Sequence, residues 1–198
     1  MPRIVDHASR RQDFIRAACE TLLEEGYANT TVRAVAKRAG FTTGALVHYF
    51  GDKDELIRRA LDYFGTEQRE RMLRLERELE GRAALRAVVA DALPTDLDSQ
   101  RRWRIWMALW YHSEESDQMR AEQKRRYREW LGRISRMLEQ SVKLGELPAS
   151  VEIRAEARAM VAFVDGLGVQ FLMANSRLPA AKILAMLDTY LNRLYAKP

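Results

Sequence analysis

Among 198 residues the sequence holds one cysteine, three histidines and five prolines, and it has no long apolar run. Each scarcity excludes something. Cys19 alone can make neither an intrachain disulfide nor a cysteine metal site, which fits a reducing compartment. No stretch approaches the roughly 18 to 20 apolar residues of a membrane span, and residues 1–13 lack the apolar segment of a secretory signal. The expectation is a cytoplasmic chain with no membrane partner. His7, His48 and His112 stand isolated, and the sequence has no Glu-x-x-His metal pair, glycine-rich phosphate loop, nucleophile elbow or Cys-x-x-Cys. Metal-assisted and nucleophilic catalysis therefore have no foothold in spacing. The chain reads as a non-enzyme with no cofactor and no metal site, and His112 with Glu115 reads as a surface i, i+3 pair.

Strand signals are also scarce. There is no sustained alternation, and no Asn-Gly or Asp-Gly pair sits between alternating runs as a hairpin turn would, whereas apolar residues recur at three and four along most of the chain. With 47% hydrophobic and 31% charged residues, the composition is that of a globular chain. The fold class is all-α, with about nine helices. The first is expected from Ser9 to Glu25, where Gly26 breaks it and Cys19 sits among Phe14, Ala18 and Leu22 as a buried thiol. A second follows Thr31 and stops at Gly40. A third, capped by Thr42 or Thr43, ends at Phe50. Asp52 caps a long fourth helix, which carries Phe64 on its apolar face, reaches towards Gly81 and holds any domain junction. The fifth runs from Arg82 to Ala92 before Pro94, and the sixth follows a turn over 96–99. The seventh opens at Ser116 or Asp117, the eighth spans about Ser150 to Asn175, and the ninth starts near Pro179, a first-turn proline.

The net charge of +5 is modest against 33 basic and 28 acidic residues. Residues 1–60 carry 10 Lys and Arg against 8 Asp and Glu, so an anionic partner must be argued from placement and not from bulk field. Placement is informative over residues 31–53, which run helix, glycine turn, short helix and then lysine. This spacing suits a helix-turn-helix, whose second helix enters the major groove while the first braces it. Val32, Val35, Ala36, Phe41, Leu46 and Phe50 supply the apolar clamp. Thr43, Gly44, Ala45, Val47, His48 and Tyr49 then point outward. Small residues let a helix approach base edges, a threonine can bond to them, and the methyls of Ala45 or Val47 can meet a thymine methyl. Tyr49 and Lys53 can reach phosphates, as can backbone N–H groups at the helix starts, and Arg10, Arg11, Arg33 and Lys37 lie where the backbone would pass. The alternative for the same residues is a helical hairpin with a merely solvated face.

Arg11-Gln12, Ala17-Ala18, Gly26, Thr30-Thr31-Val32, Val35-Ala36, the run from Ala39 to Gly44, Leu46, Tyr49-Phe50 and Lys53-Asp54-Glu55-Leu56 together resemble the N-terminal domain of TetR-family repressors. The resemblance implies a helix-turn-helix DNA-binding domain over 1–53, a helical ligand-binding and dimerisation domain over 54–198, and a homodimer on a palindromic double-stranded operator. Carried over, the base-reading positions are Arg33, Thr43, Gly44, Ala45, Val47 and His48, and the phosphate contacts are Thr42, Tyr49 and Lys53. Many members have tyrosine at Val47 and histidine at Tyr49. These departures bear on single contacts and not on the docking mode. The Trp106-x-x-x-Trp110 helix, the Tyr127 helix and the Val164-Asp165-Gly166-Leu167 run resemble the choline-responsive, BetI-like branch.

The body is rich in aromatics, with Trp103, Trp106, Trp110, Tyr111, Tyr127, Trp130, Phe163 and Phe171. Ring faces attract cations, so Trp103, Trp106, Trp110, Tyr127 and Phe163 are candidate contacts to a small-molecule effector, a quaternary amine or another cation, although each ring alone reads first as core. Asp165 lies in an apolar stretch where an unpaired carboxylate is costly. Its partner could be a cationic ligand, an arginine or a symmetry mate, with an internal partner favoured. Helices eight and nine are broadly apolar and are expected to form the dimer contact, helped by Gly166 and Gly168. The run Lys124-Arg125-Arg126-Tyr127-Arg128 reads as a solvated face. The rival to a ligand-responsive repressor is a helical protein-interaction module that does not bind an operator.

Overall fold

The structure is a computed structural model that describes residues 7–113, 116–173 and 178–196, without the side chains of Phe64, Glu67, Leu109, Tyr111 and His112. The expectations for Phe64, Tyr111, the His112–Glu115 pair and a helix end at Asn175 fall outside the described residues. The described residues form nine α-helices and no strand: α1 (His7–Asn29), α2 (Val32–Arg38), α3 (Thr43–Phe50), α4 (Lys53–Glu78), α5 (Gly81–Ala92), α6 (Leu97–His112), α7 (Asp117–Lys143), α8 (Ile153–Met173) and α9 (Ala180–Tyr195). They gather into two compact units, one of residues 1–67 with 105–123 and the other of residues 68–104 with 124–198. The division of α4 falls between Glu67 and Gln68.

In the first unit the apolar stripe of α1 meets the two short helices. Phe14, Ala17, Ala18 and Cys19 share a core with Val35, Ala36, Leu46, Phe50, Leu56 and Ala60. The Cys19 thiol donates to the Ala60 carbonyl at 3.6 Å, and burial pushes it up to about 12, so it stays a protonated core group. Gly26 does break α1, at φ 78 and ψ 171, a region in which only glycine is at ease. The chain then resumes for a further turn that buries Tyr27. Arg38 pins the end of α2 back to α1 through Glu24 at 2.7 Å and Glu25 at 2.9 Å. A second cluster joins Leu22 and Tyr27 of α1 and Ile57 and Leu61 of α4 to Ile105 of α6 and Met119 of α7, with Trp106 and Ala108 packed against it. Ser116, which caps α7 through the Met119 N–H at 3.3 Å, also donates to the Asp54 carboxylate of α4.

In the second unit α5 lies on α9. Arg86 grips Asp188 with two parallel hydrogen bonds at 2.6 and 3.0 Å, and Arg82 donates to Asn192 at 2.5 Å. Ser141 of α7 bonds the Tyr195 hydroxyl at 2.7 Å, and Phe163 of α8 packs on Tyr190 with ring centroids 4.9 Å apart. Ile183, Leu187, Leu191 and Leu194 of α9 are all buried within the chain. The apolar residues of α9 thus lie on one stripe rather than around its girth, and the chain's own core takes them up. Gly168 likewise serves its own chain: a β-carbon there would run into the Trp103 ring.

Candidate functional site

The Thr42 hydroxyl accepts the Ala45 N–H at 3.2 Å and caps α3, while the Thr31 hydroxyl accepts the Ala34 N–H at 3.1 Å and caps α2. These side-chain oxygens satisfy helix-end donors that would otherwise be orphaned. Phe41, in the turn between the two helices, stacks on Phe14 at 5.0 Å. With Leu46 at 0% and Phe50 at 4% exposure, α3 is anchored by residues four apart, and its other side is free.

That side carries the residues expected from the sequence. Thr43, Gly44, Val47 and His48 are exposed, as are Thr42 and, in the first turn of α2, Arg33. Val47 leaves 46% of its apolar surface in water. Ala45 and Tyr49 are half-buried and pack against the head core. A β-carbon at Gly44 would meet only Thr42 Oγ1, at 4.0 Å, so nothing in the chain requires a glycine there. Thr42 uses an oxygen lone pair for its cap and keeps its own proton to donate.

The two flanking phosphate candidates are engaged inside the head. Lys53 donates to the Tyr27 carbonyl at 3.0 Å and places its ammonium 4.0 Å over the Tyr27 ring. The Tyr49 hydroxyl lies 2.6 Å from His7 Nδ1, and its ring also faces Phe14 and His48. Arg10 and Arg11 lie over Phe41 and Phe50, at 5.3 and 5.6 Å. In the sequence His7 stands as an isolated histidine, because no spacing rule links residues 42 positions apart.

The candidate effector residues divide between the units. Trp106 and Trp110 belong to the first, with ring centroids 6.3 Å apart, and the Trp110 indole N–H is buried without a hydrogen-bond partner among the described residues. Trp103, Tyr127, Phe163 and Asp165 belong to the second. Trp103 is 6% exposed and donates its indole N–H to the Ala92 carbonyl at 2.8 Å, which makes it a core group. Phe163 turns to Tyr190, two residues and about 200° of helix from Asp165. The Asp165 charge acts on Tyr127: burial, and then that charge, push the Tyr127 phenol up. Burial pushes Asp165 itself up to about 6 from an ordinary 3.8. No hydrogen bond or ion pair to Asp165 occurs among the described residues, so the favoured internal partner is absent there. Among the same residues no group of three or more His, Cys, Asp or Glu could hold a metal ion, and no helix is long and apolar enough to cross a membrane.

Known proteins share both halves of this arrangement. Residues 14–60 match the family described as "Bacterial regulatory proteins, tetR family", and residues 81–196 match "BetI-type transcriptional repressor, C-terminal". The HTH-type transcriptional regulator BetI of Stenotrophomonas maltophilia is 28% identical over 188 residues, covering 92% of this chain and 91% of that protein. A transcriptional regulator from Rhodococcus sp. Rha1 superposes with a TM-score of 0.81 at 24% identity, over 93% of this chain and 95% of that one. One from Saccharomonospora viridis, solved in complex with choline, superposes with a TM-score of 0.85 at 19% identity, over 94% and 97%. With the helix-turn-helix head and more than half of the chain matched in this way, the protein belongs to the tetR family of bacterial transcriptional regulators and carries a BetI-type repressor C-terminal domain.

Proposed function

We propose that this chain is a repressor that binds a palindromic operator as a homodimer, lays α3 in the major groove, and lets go when a small cation, a quaternary amine of the choline type, occupies the body. The observation that carries the DNA reading is the outer face of α3: a capped, braced helix with an exposed valine and a glycine that its own fold does not need. Gly44 and Ala45 would let the backbone close on base edges, Val47 would meet a thymine methyl, and Arg33, Thr43 and His48 would read polar edges. Thr42, Tyr49 and Lys53 would hold phosphates and set register. The head corresponds to residues 1–53 and the ligand-binding, dimer-forming body to 54–198. Release follows from linkage: an effector that favours a body in which two recognition helices are not about 34 Å apart weakens operator binding by the factor that operator weakens effector binding. Ile105 and Trp106 of α6 and Met119 of α7 pack on α1 and α4 within the first unit, so these helices share a core with the head.

The cationic reading rests on Asp165, a half-buried carboxylate without an ion-pair partner among the described residues, whose charge also acts on the Tyr127 phenol. The choline complex of the Saccharomonospora viridis regulator supports the same ligand class. Fluorescence anisotropy on DNA flanking the protein's own gene tests both parts. Binding should weaken with added salt, collapse in Arg33→Ala and Val47→Asp variants that stay folded, and be reversed by choline. No binding to any flanking DNA at low salt would remove the repressor reading. Relief by uncharged aromatics but not by choline would remove the cationic one.

A further inference from the structure

Tyr49 can serve a phosphate only as a hydrogen-bond donor, since a phosphate oxygen only accepts. Yet its hydroxyl already has a neighbour: His7 Nδ1 lies 2.6 Å away, with the rings tilted at a centroid distance of 5.7 Å. The pair has two hydrogen arrangements. If Nδ1 is bare, it accepts the Tyr49 proton, and the phenol turns only lone pairs outward. If Nδ1 carries a proton, His7 donates to the Tyr49 oxygen and the phenol proton is released to point outward. An approaching phosphate repels the first arrangement and favours the second.

From this geometry we propose that His7 is the positioning residue for Tyr49 in operator binding: it donates from behind, so that the Tyr49 hydroxyl donates to a phosphate. This rests on the reading of α3 as the operator-binding helix. A neutral ring donates from Nδ1 only in the tautomer that leaves Nε2 bare, whereas a ring that takes one proton from solvent carries both N–H groups, so that Nδ1–H points to the Tyr49 oxygen and Tyr49 O–H points to the phosphate. The negative charge of DNA favours the charged imidazole, so operator binding takes up a proton and tightens as pH falls. The charged and titratable groups around the pair are these among the described residues. On α3 they are Tyr49 itself and His48, whose ring stands edge-on to Tyr49 at 5.6 Å. On α1 they are Arg10 and Arg11, which lie over Phe41 and Phe50. His48 is itself a candidate base-reading residue, so the signature of His7 is the difference between wild type and a His7 variant.

The test is a double-mutant cycle on the full-length dimer and its operator, read at about pH 6 and about pH 8, on either side of an ordinary histidine. His7 is exposed, so His7→Ala and His7→Gln should fold, and Phe at 49 keeps the packing on Phe14. We expect His7→Ala to weaken binding roughly tenfold at the lower pH and far less at the higher, as loss of a charge-assisted donor would. His7→Gln, whose amide can donate, should recover part of the affinity and show a flatter pH profile than wild type. In a Tyr49→Phe background, His7→Ala should cost nothing more. If the two losses simply add, or if His7→Ala leaves the profile unchanged while Tyr49→Phe weakens binding, the relay is overturned and the α3 interface stands. If Tyr49→Phe binds as wild type does, the phosphate role of Tyr49 falls, and the relay with it.

Discussion

A glycine inside a helix costs up to about 1 kcal/mol against alanine, and Gly44 lies within α3 with room for a side chain, the nearest atom being Thr42 Oγ1 at 4.0 Å. Its cost is repaid only by something outside the chain. Gly44→Ala should therefore raise the stability of the free protein by about 0.5 to 1 kcal/mol while weakening operator binding at least tenfold. Thermal melting and anisotropy on one preparation check both halves, and a variant that gains stability and keeps its affinity would show that the DNA does not come close at this point. Asp165 makes a parallel argument by charge. A carboxyl raised from 3.8 to about 6 in the fold binds protons more tightly folded than unfolded, so stability falls as pH rises through that window and the full penalty applies above it. Asp165→Asn should remove the penalty. Above pH 6 it should stabilise the free protein by about 1 kcal/mol, a figure reduced for solvent screening of a part-exposed group, with no gain at pH 4. Choline affinity should drop in the same variant, and in the wild type it should decline as pH falls below about 6. A variant that binds choline unchanged would mean that the counter-charge lies elsewhere.

At the level of the helix, α5 shows a cap that no local pattern announces. Glu80 precedes it without a side-chain bond. The orphan donors are met from elsewhere: the Arg82 N–H donates to the Glu146 carboxylate at 2.7 Å, and the Gly81 N–H to Gln140 at 3.4 Å. Gly81 has φ 52, and a β-carbon there would collide with Glu146, so glycine is required by both backbone and space. Glu146→Ala should lower stability by about 1 kcal/mol, the usual worth of a helix cap, seen as a lower denaturant midpoint with an unchanged slope. An unchanged midpoint would mean that water replaces the carboxylate. Local chemistry made most boundaries legible: Thr31, Thr42 and Asp52 cap as their types suggest, and Gly26 interrupts α1 as expected. The starts that shifted depend on distant or reciprocal partners. The expected turn over 96–99 is instead the entry to α6, where Asp96 and Ser99 bond each other's backbone N–H at 2.8 and 3.0 Å. In the site, the outward face of α3 could be read from period and residue type, whereas the links of Tyr49 to His7 and Lys53 to Tyr27 join residues 42 and 26 positions apart and leave no trace in spacing. The aromatic body was the least legible part, because a ring that fills a core and a ring that lines a pocket obey the same periodicity.

For the molecule as a whole, the proposed function has one head read half a palindrome, so that affinity for the full operator would depend on a second copy held at the right distance. The surface proposed for that contact must be sought where the chain leaves α8 uncovered. Ala155, Ala159 and Ala162 are exposed there at spacings of four and three, which puts small residues along one side, and Met173 at the helix end is 82% exposed. The opposite side, with Ala157, Met160, Val161, Val164 and Leu167, is buried in the chain's own core. Small residues on an exposed helix face let a partner helix come close, and α9 beside it, through Phe163 and Tyr190, widens the platform. A carboxylate placed mid-stripe by Ala162→Glu would be desolvated against its own symmetry copy and would repel it. The variant should keep its helical content as a monomer, sediment with the mass of one chain where the wild type sediments as two, and lose at least a hundredfold in affinity for the full operator while binding a half-site as wild-type heads do. A variant that still sediments as a dimer would move the contact off this stripe, and one that is monomeric with full operator affinity would show that the two heads act independently on DNA.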